Sequence, residues 1–200
     1  MRHFLRNFGF LLVFVAALIL VSPRSIVAQR DYFTEQEIEL IRDAQEIDKR
    51  IDILTHAIDR RFAVLKIEVS GVKSGKKDSE SWGPEPTGTR GELLLDIKRI
   101  LQKAIDDIDT LAERPDSAIL PEPDDKSKKP KGFKDLFPKA VHNLAAAAKR
   151  YQPALKKELD SVKDNTERGS ILDSLDSCEQ IIAAADKPLP ADTKKKGTDR

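Results

Sequence analysis

Cysteine, methionine and tryptophan each occur only once in this 200-residue chain, as Cys178, Met1 and Trp82. A single cysteine excludes an intramolecular disulfide, a multi-thiolate zinc site, a dithiol redox cycle and a covalent Cys-x-x-Cys-His haem. The only methionine, Met1, lies in the N-terminal segment 1–28, which is predicted below to be a cleaved export signal, and this excludes a haem bound by histidine and methionine in the mature chain. Side-chain packing must therefore hold the fold together.

Neither sign of charge is in excess. The chain has 35 basic and 34 acidic residues, and the first 28 residues hold three of the basic ones and none of the acidic ones. Without them, 32 basic and 34 acidic residues remain, a formal charge of −2. Nucleic-acid binding depends on an excess of positive charge, so this balance excludes that class of partner on electrostatic grounds.

The N-terminal segment has the pattern of a secretory signal peptide. Arg2 and Arg6 give it a positively charged start, residues 8–21 form an unbroken run of apolar residues and glycine, and Ala28 precedes the expected cleavage point. An uncleaved anchor is the alternative, but that run spans only about 21 Å as a helix against a hydrocarbon core of about 30 Å. We therefore predict a signal peptide over 1–28, membrane contact only before cleavage, and export to the periplasm or the extracellular medium.

The first stretch of the mature chain has strong helical periodicity. Thr34 and Glu37 have the spacing of a capping box, which predicts a helix start. We expect one continuous helix over 34–69, whose narrow apolar seam would suit packing within the chain or a coiled-coil dimer. The seam residues recur three or four positions apart within an arc of about 80°: Leu40, Ala44, Ile47, Ile51, Leu54, Ile58, Phe62 and Leu65.

Three further amphipathic helices are predicted, over about 90–114, 135–164 and 168–187. The first of them begins with a second capping box, Thr89 and Glu92, and its apolar stripe spans about 140°, which implies more than one neighbour. The turn between the last two is short, so they should be antiparallel neighbours. Four helices without a convincing strand predict an all-α fold, either a four-helix bundle or an elongated helical assembly.

The connecting segments differ from the helices in composition. Residues 71–88 and 115–132 are rich in Gly, Pro, Ser and charge, which predicts two long flexible loops. The lysine-rich segment 188–200 reads as a disordered tail, so a single helical domain over 29–187 is expected. Trp82 lies in the first loop and either folds back onto the helices or anchors a partner, since tryptophan is enriched at binding hot spots.

No catalytic pattern accompanies these helices. A di-iron bundle needs Glu-x-x-His pairs, but Ile53 and Lys139 stand three residues before His56 and His142. The chain also lacks a nucleophile elbow and a phosphate-binding glycine loop. Cys178 falls within the apolar stripe of its helix, where a thiol is weakly nucleophilic. We therefore predict no enzymatic activity and no cofactor.

Asp52, His56 and Asp59 are the weak candidates for a metal site. They lie at i, i+4 and i+7 on one side of the first helix and could offer three ligands to an ion. Arg60 lies next to them, and an ordinary Asp-His pair on a solvated face explains the same spacing. The expectation is therefore no metal, with these three residues as the only candidates.

Arg50, Arg61 and Trp82 are the candidates for partner contact. The two arginines lie beside the apolar seam, where charges commonly select a partner helix. We predict an exported, non-enzymatic helical protein that acts by contact with another protein or an envelope component, or by self-association. A small periplasmic stress-responsive or metal-responsive helical protein is the alternative.

Export of the full chain through a general secretory pathway should yield a product that begins at Gln29, because signal peptidase cleaves after a small residue. The intact mass of the exported protein measures this directly. Ala28→Tyr should block cleavage, whereas Gln29→Ala should leave it unchanged. Recovery of the full-length wild-type chain from the membrane fraction would show instead that the segment is retained as an anchor.

Overall fold

Helices account for most of the chain that the structure describes. The computed structural model of the protein describes residues 30–71, 79–115 and 132–187. Within those ranges there is no strand, and the predicted all-α class is confirmed. The helices belong to one compact unit. They are α1 (Glu35–Asp43), α2 (Ile47–Val64), α3 (Ser79–Trp82), α4 (Arg90–Glu113), α5 (Phe133–Ser161) and α6 (Asn165–Ala185).

Three of the four predicted helices are confirmed as α4, α5 and α6. Their ends lie within three residues of the predicted positions, which is close to the usual uncertainty of helix ends. The Thr89–Glu92 capping box is present at the start of α4, where the Glu92 carboxylate accepts from the Thr89 backbone N–H at 2.7 Å. Pro153 is exposed, and α5 continues through it to Ser161.

The first predicted helix, 34–69, is two helices, so that prediction is wrong. α1 ends at Asp43, α2 begins at Ile47, and α1 packs back against α2. In one continuous helix the 24 positions between Glu37 and Arg61 would separate them by about 36 Å. Their side chains instead hydrogen-bond at 2.7 Å. This contact requires the chain to reverse over residues 44–46.

α2 and α5 run parallel in a constant register. They are joined by side-chain hydrogen bonds at successive levels, and the Tyr151 hydroxyl adds a buried bond to the Thr55 carbonyl at 2.9 Å. In three of these pairs the two residue numbers differ by the same amount. The two helices must therefore point in the same direction. The bonded pairs, each 91 residues apart, are Asp48–Lys139, Asp52–Asn143 and Asp59–Arg150.

α4 and α6 also run parallel. Arg90, at the start of α4, donates to Glu167 at the start of α6 at 3.2 Å and to Glu158 near the end of α5. Further along, Lys98 donates to Asp173 at 2.6 Å. α5 and α6 pack against each other and are joined only by residues 162–164, so they are antiparallel neighbours, as predicted.

The part of the predicted apolar seam that lies on α2 is inside the molecule. Ile51, Leu54 and Ile58 are 0% exposed, and they belong to one core with residues of α4, α5 and α6. α2 packs against both α4 and α5. The seam is therefore occupied within the chain and does not form the surface of a coiled-coil dimer that its pattern allowed.

Part of the predicted flexible loop 71–88 is structured. Residues 79–82 form α3, which contacts α1, and Pro86 is buried. The predicted leader 1–28, the tail 188–200 and much of the second loop lie outside the described residues. Among the described helices, none combines the length and apolar character needed to cross a bilayer.

Leu54→Ala should lower the free energy of unfolding by about 2–5 kcal/mol, because it leaves a cavity at a fully buried position. Chemical denaturation measures this loss. Leu172→Ala is the matched control: Leu172 is 41% exposed, so the change should stay within about 0.5 kcal/mol. Equal losses in the two variants would contradict the placement of α2 in the core.

Candidate functional site

A carboxylate without solvent exposure lies where α1 meets the end of α2. Glu37 is 0% exposed and Arg61 is 1% exposed. Arg61 donates from Nη1 to Oε1 and from Nη2 to Oε2 of Glu37, each at 2.7 Å. Arg60 donates to Oε1 at 2.7 Å, and the Thr34 backbone N–H donates to Oε2 at 3.0 Å, which completes the predicted capping box. We call Glu37, Arg60 and Arg61 the ion cluster.

Backbone oxygens hold the rest of the Arg61 guanidinium. Its Nη1 donates to the Ala57 carbonyl at 2.7 Å and its Nη2 to the Tyr32 carbonyl at 2.6 Å. Its Nε has no hydrogen-bond partner, and a carboxylate oxygen of the buried Asp96 lies 3.9 Å away. The Arg61 charge therefore faces carboxylates on α1 and α4 together, and it links three helices.

The surroundings of Glu37 favour its ionised form. Burial by itself raises the pKa of the carboxyl group. The hydrogen bonds and charge of Arg61, the Thr34 N–H and the charge of Arg60 outweigh burial, so the pKa of Glu37 lies below its usual value. Glu37 therefore stays charged at neutral pH, and the geometry makes the ion cluster a structural link.

Trp82 folds back onto α2. Its ring centroid lies 4.2 Å from that of His56, and Cζ of Arg60 lies 5.7 Å from the indole centroid. Arg60 also donates to the carbonyl of Gly83 at 3.3 Å and to that of Pro84. Of the two alternatives for Trp82, the structure has the folded-back arrangement, with the indole half-buried within its own chain.

Glycine at position 83 favours the approach of this loop to α1. Gly83 has a φ of +63°, in the left-handed region that side chains disfavour. A Cβ atom there would lie 2.6 Å from the side chain of Gln36 on α1. A larger residue at position 83 would therefore strain the backbone and displace the Gln36 side chain.

The three weak metal candidates are not brought together as a ligand set. Asp52 accepts from Asn143 at 2.7 Å, Asp59 lies 3.5 Å from Arg150, and His56 contacts the indole described above. Burial raises the pKa of both Asp52 and Asp59, against the opposing effects of Asn143 and Arg150. Within the described ranges, no group of three or more His, Cys, Asp or Glu side chains is arranged to hold a metal ion.

The two arginines predicted to select a partner contact their own chain. Arg61 is buried against α1, so its prediction as a surface contact is corrected. Arg50 is half-buried, and its Nε donates to the Ala44 carbonyl in the turn between α1 and α2 at 3.1 Å. The physical reason is the reversal of α1, which covers the edge of α2 that a single long helix would have left open.

Cys178 is fully buried in α6. Burial, with a smaller effect from Glu179, raises the pKa of its thiol to about 12. Only the thiolate is nucleophilic, and it is scarce at neutral pH. Cys178 therefore fills core volume, in agreement with its place in the apolar stripe.

An apolar pocket of about 250 Å³ lies between α4, α5 and α6, far from the ion cluster along α4. Its rim carries the exposed residues Asp109, Gln180, Ala184 and Lys187, so it opens to solvent. We call this cavity the α4–α5–α6 pocket. Its walls are formed by Ile105 and Ile108 of α4, by Phe137, Val141 and Leu144 of α5, and by Ile181 of α6.

The walls of the α4–α5–α6 pocket suit apolar groups. A polar atom buried against these hydrocarbon side chains would lose its hydrogen bonds to water without replacement. The sequence predictions did not include this pocket, although one signal was present. The apolar stripe of α4 is wider than one neighbour can cover, and Ile108 and Leu111 near its end stay half-buried. Apolar residues left partly uncovered at the end of a wide stripe indicate such a cavity.

Comparisons with protein-family models, with curated proteins and with solved structures found no significant match to this chain. The function is therefore inferred from the α4–α5–α6 pocket and the packing around it.

Glu37→Gln should lower the free energy of unfolding by about 3–5 kcal/mol, because it leaves the Arg61 charge buried without its counter-charge. Denaturant unfolding at neutral pH measures this change. Glu39→Gln is the matched control on α1: Glu39 is exposed and pairs with Arg42 at 2.8 Å, so the loss should stay below about 1 kcal/mol. Comparable losses in both variants would contradict the role of the buried pair.

The contribution of Glu37 should also disappear in acid. Its pKa is lower in the folded than in the unfolded state, so its ionisation adds stability that is fully present above the unfolded pKa. That stability is lost as the pH falls through the folded pKa, beginning near the usual glutamate value of about 4.3. Urea unfolding at several pH values should show the gap between wild type and Glu37→Gln narrowing below that value. A constant gap would contradict the lowered pKa.

Proposed function

We propose that the protein is an exported, non-enzymatic four-helix bundle that acts by reversible contact through the α4–α5–α6 pocket. The observation that carries this proposal is the pocket itself, a solvent-open cavity with hydrocarbon walls. The contact it offers is with an apolar group of another protein or of an envelope component. Export is supported by the charged start and apolar run of the segment 1–28.

The packing of the long helices supports a bundle rather than an elongated assembly. α2 packs against α4 and α5, and α6 packs against the same two helices. These four pairings close on themselves, whereas an elongated assembly would leave its end helices with one neighbour each.

The distribution of titratable groups supports binding rather than catalysis. Functional acids and nucleophiles commonly have perturbed pKa values and line a cleft. Glu37, Asp52, Asp59 and Cys178 have shifted pKa values, and all four lie outside the pocket. The other predicted contact surfaces, the apolar seam and the Trp82 loop, are occupied within the chain.

Ala184→Trp should weaken binding of an apolar fluorescent dye, anilinonaphthalene sulfonate, by at least about tenfold, because an indole at the rim would fill the pocket. Fluorescence titration at neutral pH measures the affinity. Ala183→Trp is the matched control, because Ala183 is exposed on α6 and does not line the pocket. Near-ultraviolet circular dichroism of each protein shows that the dye is bound by a native fold.

Two results would contradict the proposal. One is a native wild-type protein that does not bind the dye, and the other is an equal affinity in Ala184→Trp and Ala183→Trp. Dye binding by wild type and Ala183→Trp, with loss in Ala184→Trp alone, would support it.

A further inference from the structure

The shape of the α4–α5–α6 pocket restricts what can fill it. Along α5 the wall runs from Phe137 to Leu144, a length of about 10 Å at the helical rise. The volume of the pocket is about 250 Å³. An α-helix with its side chains is about 10–12 Å wide, so a 10 Å length of it would fill roughly 1,000 Å³, several times the volume of the pocket. A slender chain fits this volume.

The walls favour an aliphatic over an aromatic occupant. Five of the six wall residues named above are isoleucine, valine or leucine. The exception, Phe137, already stacks on Phe133 with ring centroids 4.8 Å apart. Phe137 is the single aromatic ring among the six wall residues. Its surface matches methylene groups.

The volume sets the length of such a chain. A cavity of about 150 Å³ lined by Leu, Ile and Phe stays dry and holds benzene, which has six carbon atoms. By proportion, about 250 Å³ holds roughly ten carbon atoms. A chain of this length is shorter than the acyl tails of most membrane lipids, which points to a soluble ligand.

The rim leaves room for a polar head group in solvent. Gln180 and Lys187 offer donors on one side, and Asp109 offers a carboxylate on the other. All three are exposed, so their interactions with a head group are weakened by water and salt. The chain inside the pocket, rather than the head group, should therefore set the affinity.

We propose that the α4–α5–α6 pocket binds the unbranched alkyl chain of a soluble single-chain amphiphile, with about eight to ten carbons inside and the head group at the rim. This inference rests on the proposed function, because it names the class of ligand for the same pocket. The recognised group is the hydrocarbon chain, and alcohols or carboxylates of equal chain length should bind alike.

Displacement of the bound dye by a series of straight-chain alcohols from hexanol to tetradecanol tests this ligand class. Each added methylene should increase the affinity about fourfold while it is buried. The increase should stop near decanol, because further carbons remain in water. Straight-chain carboxylates should show the same chain-length limit. Ala184→Trp should weaken decanol binding by at least about tenfold, and Ala183→Trp should not change it.

The outcomes separate the two proposals. If the dye binds but no alcohol displaces it, the ligand class is wrong and the proposed function stands. If affinity rises without a limit up to tetradecanol, the pocket does not set the chain length and the inference is overturned. If wild type sediments with phosphatidylcholine vesicles and Ala184→Trp does not, the chain comes from a membrane lipid and the soluble source is wrong. If native wild type binds neither dye nor alcohol, the proposed function itself fails.

Discussion

A guanidinium keeps its charge in a protein, so Arg61 can be buried to 1% exposure at the end of α2 only if a counter-charge reaches it. For Arg61 that counter-charge is Glu37, which lies 24 positions earlier in the chain. The pair can meet only if the chain reverses between α1 and α2. This buried contact therefore fixes the orientation of α1 against α2. Arg60 extends the same cluster to the carbonyls that follow Trp82.

The polar pairs between α2 and α5 add a second constraint, which concerns register. Apolar packing is non-directional and would tolerate a shift of one helix along the other. Three side-chain pairs between the helices are each 91 residues apart in sequence. A shift of one helix along the other would break all three pairs together. Asp48 is almost fully buried beneath the exposed Lys139, so a shift would also leave a buried carboxylate without its partner. The core supplies the larger share of stabilisation, and these pairs select one arrangement of it.

The two ends of the molecule differ in what they can do. At one end, the carboxylate of Glu37, the guanidinium groups of Arg60 and Arg61 and nearby carbonyls are paired with each other within the chain. At the other end, the α4–α5–α6 pocket has hydrocarbon walls. Asp96 beside the ion cluster and Ile105 in the pocket wall are nine positions apart on α4, which corresponds to about 14 Å along the helix. No residue of α1, α2 or the ion cluster lines that pocket. The ion cluster and the proposed contact are therefore separated in space.

Much of the helical content follows from local pattern. The all-α class, the extents of α4, α5 and α6, and both threonine-glutamate capping boxes agree with the sequence predictions. These features depend on residues three or four positions apart, which a sequence displays directly. The buried positions of Ile51, Leu54 and Ile58 were visible in the same way. Local spacing also explains why a single helix over 34–69 was predicted. The apolar periodicity continues through residues 44–46, although the helix is interrupted there.

The sequence by itself determined where helices form, which faces are apolar and which chemistries lack their residues, because each of these depends on composition or short-range spacing. Only the tertiary structure decided that the chain reverses between α1 and α2 and that Arg61 is buried rather than exposed to a partner. It also decided that Trp82 folds onto His56 and that a pocket opens between three helices. Those outcomes depend on contacts between residues 24 to 91 positions apart. No local pattern encodes such contacts, because the free energy of each depends on how the remaining helices pack around it.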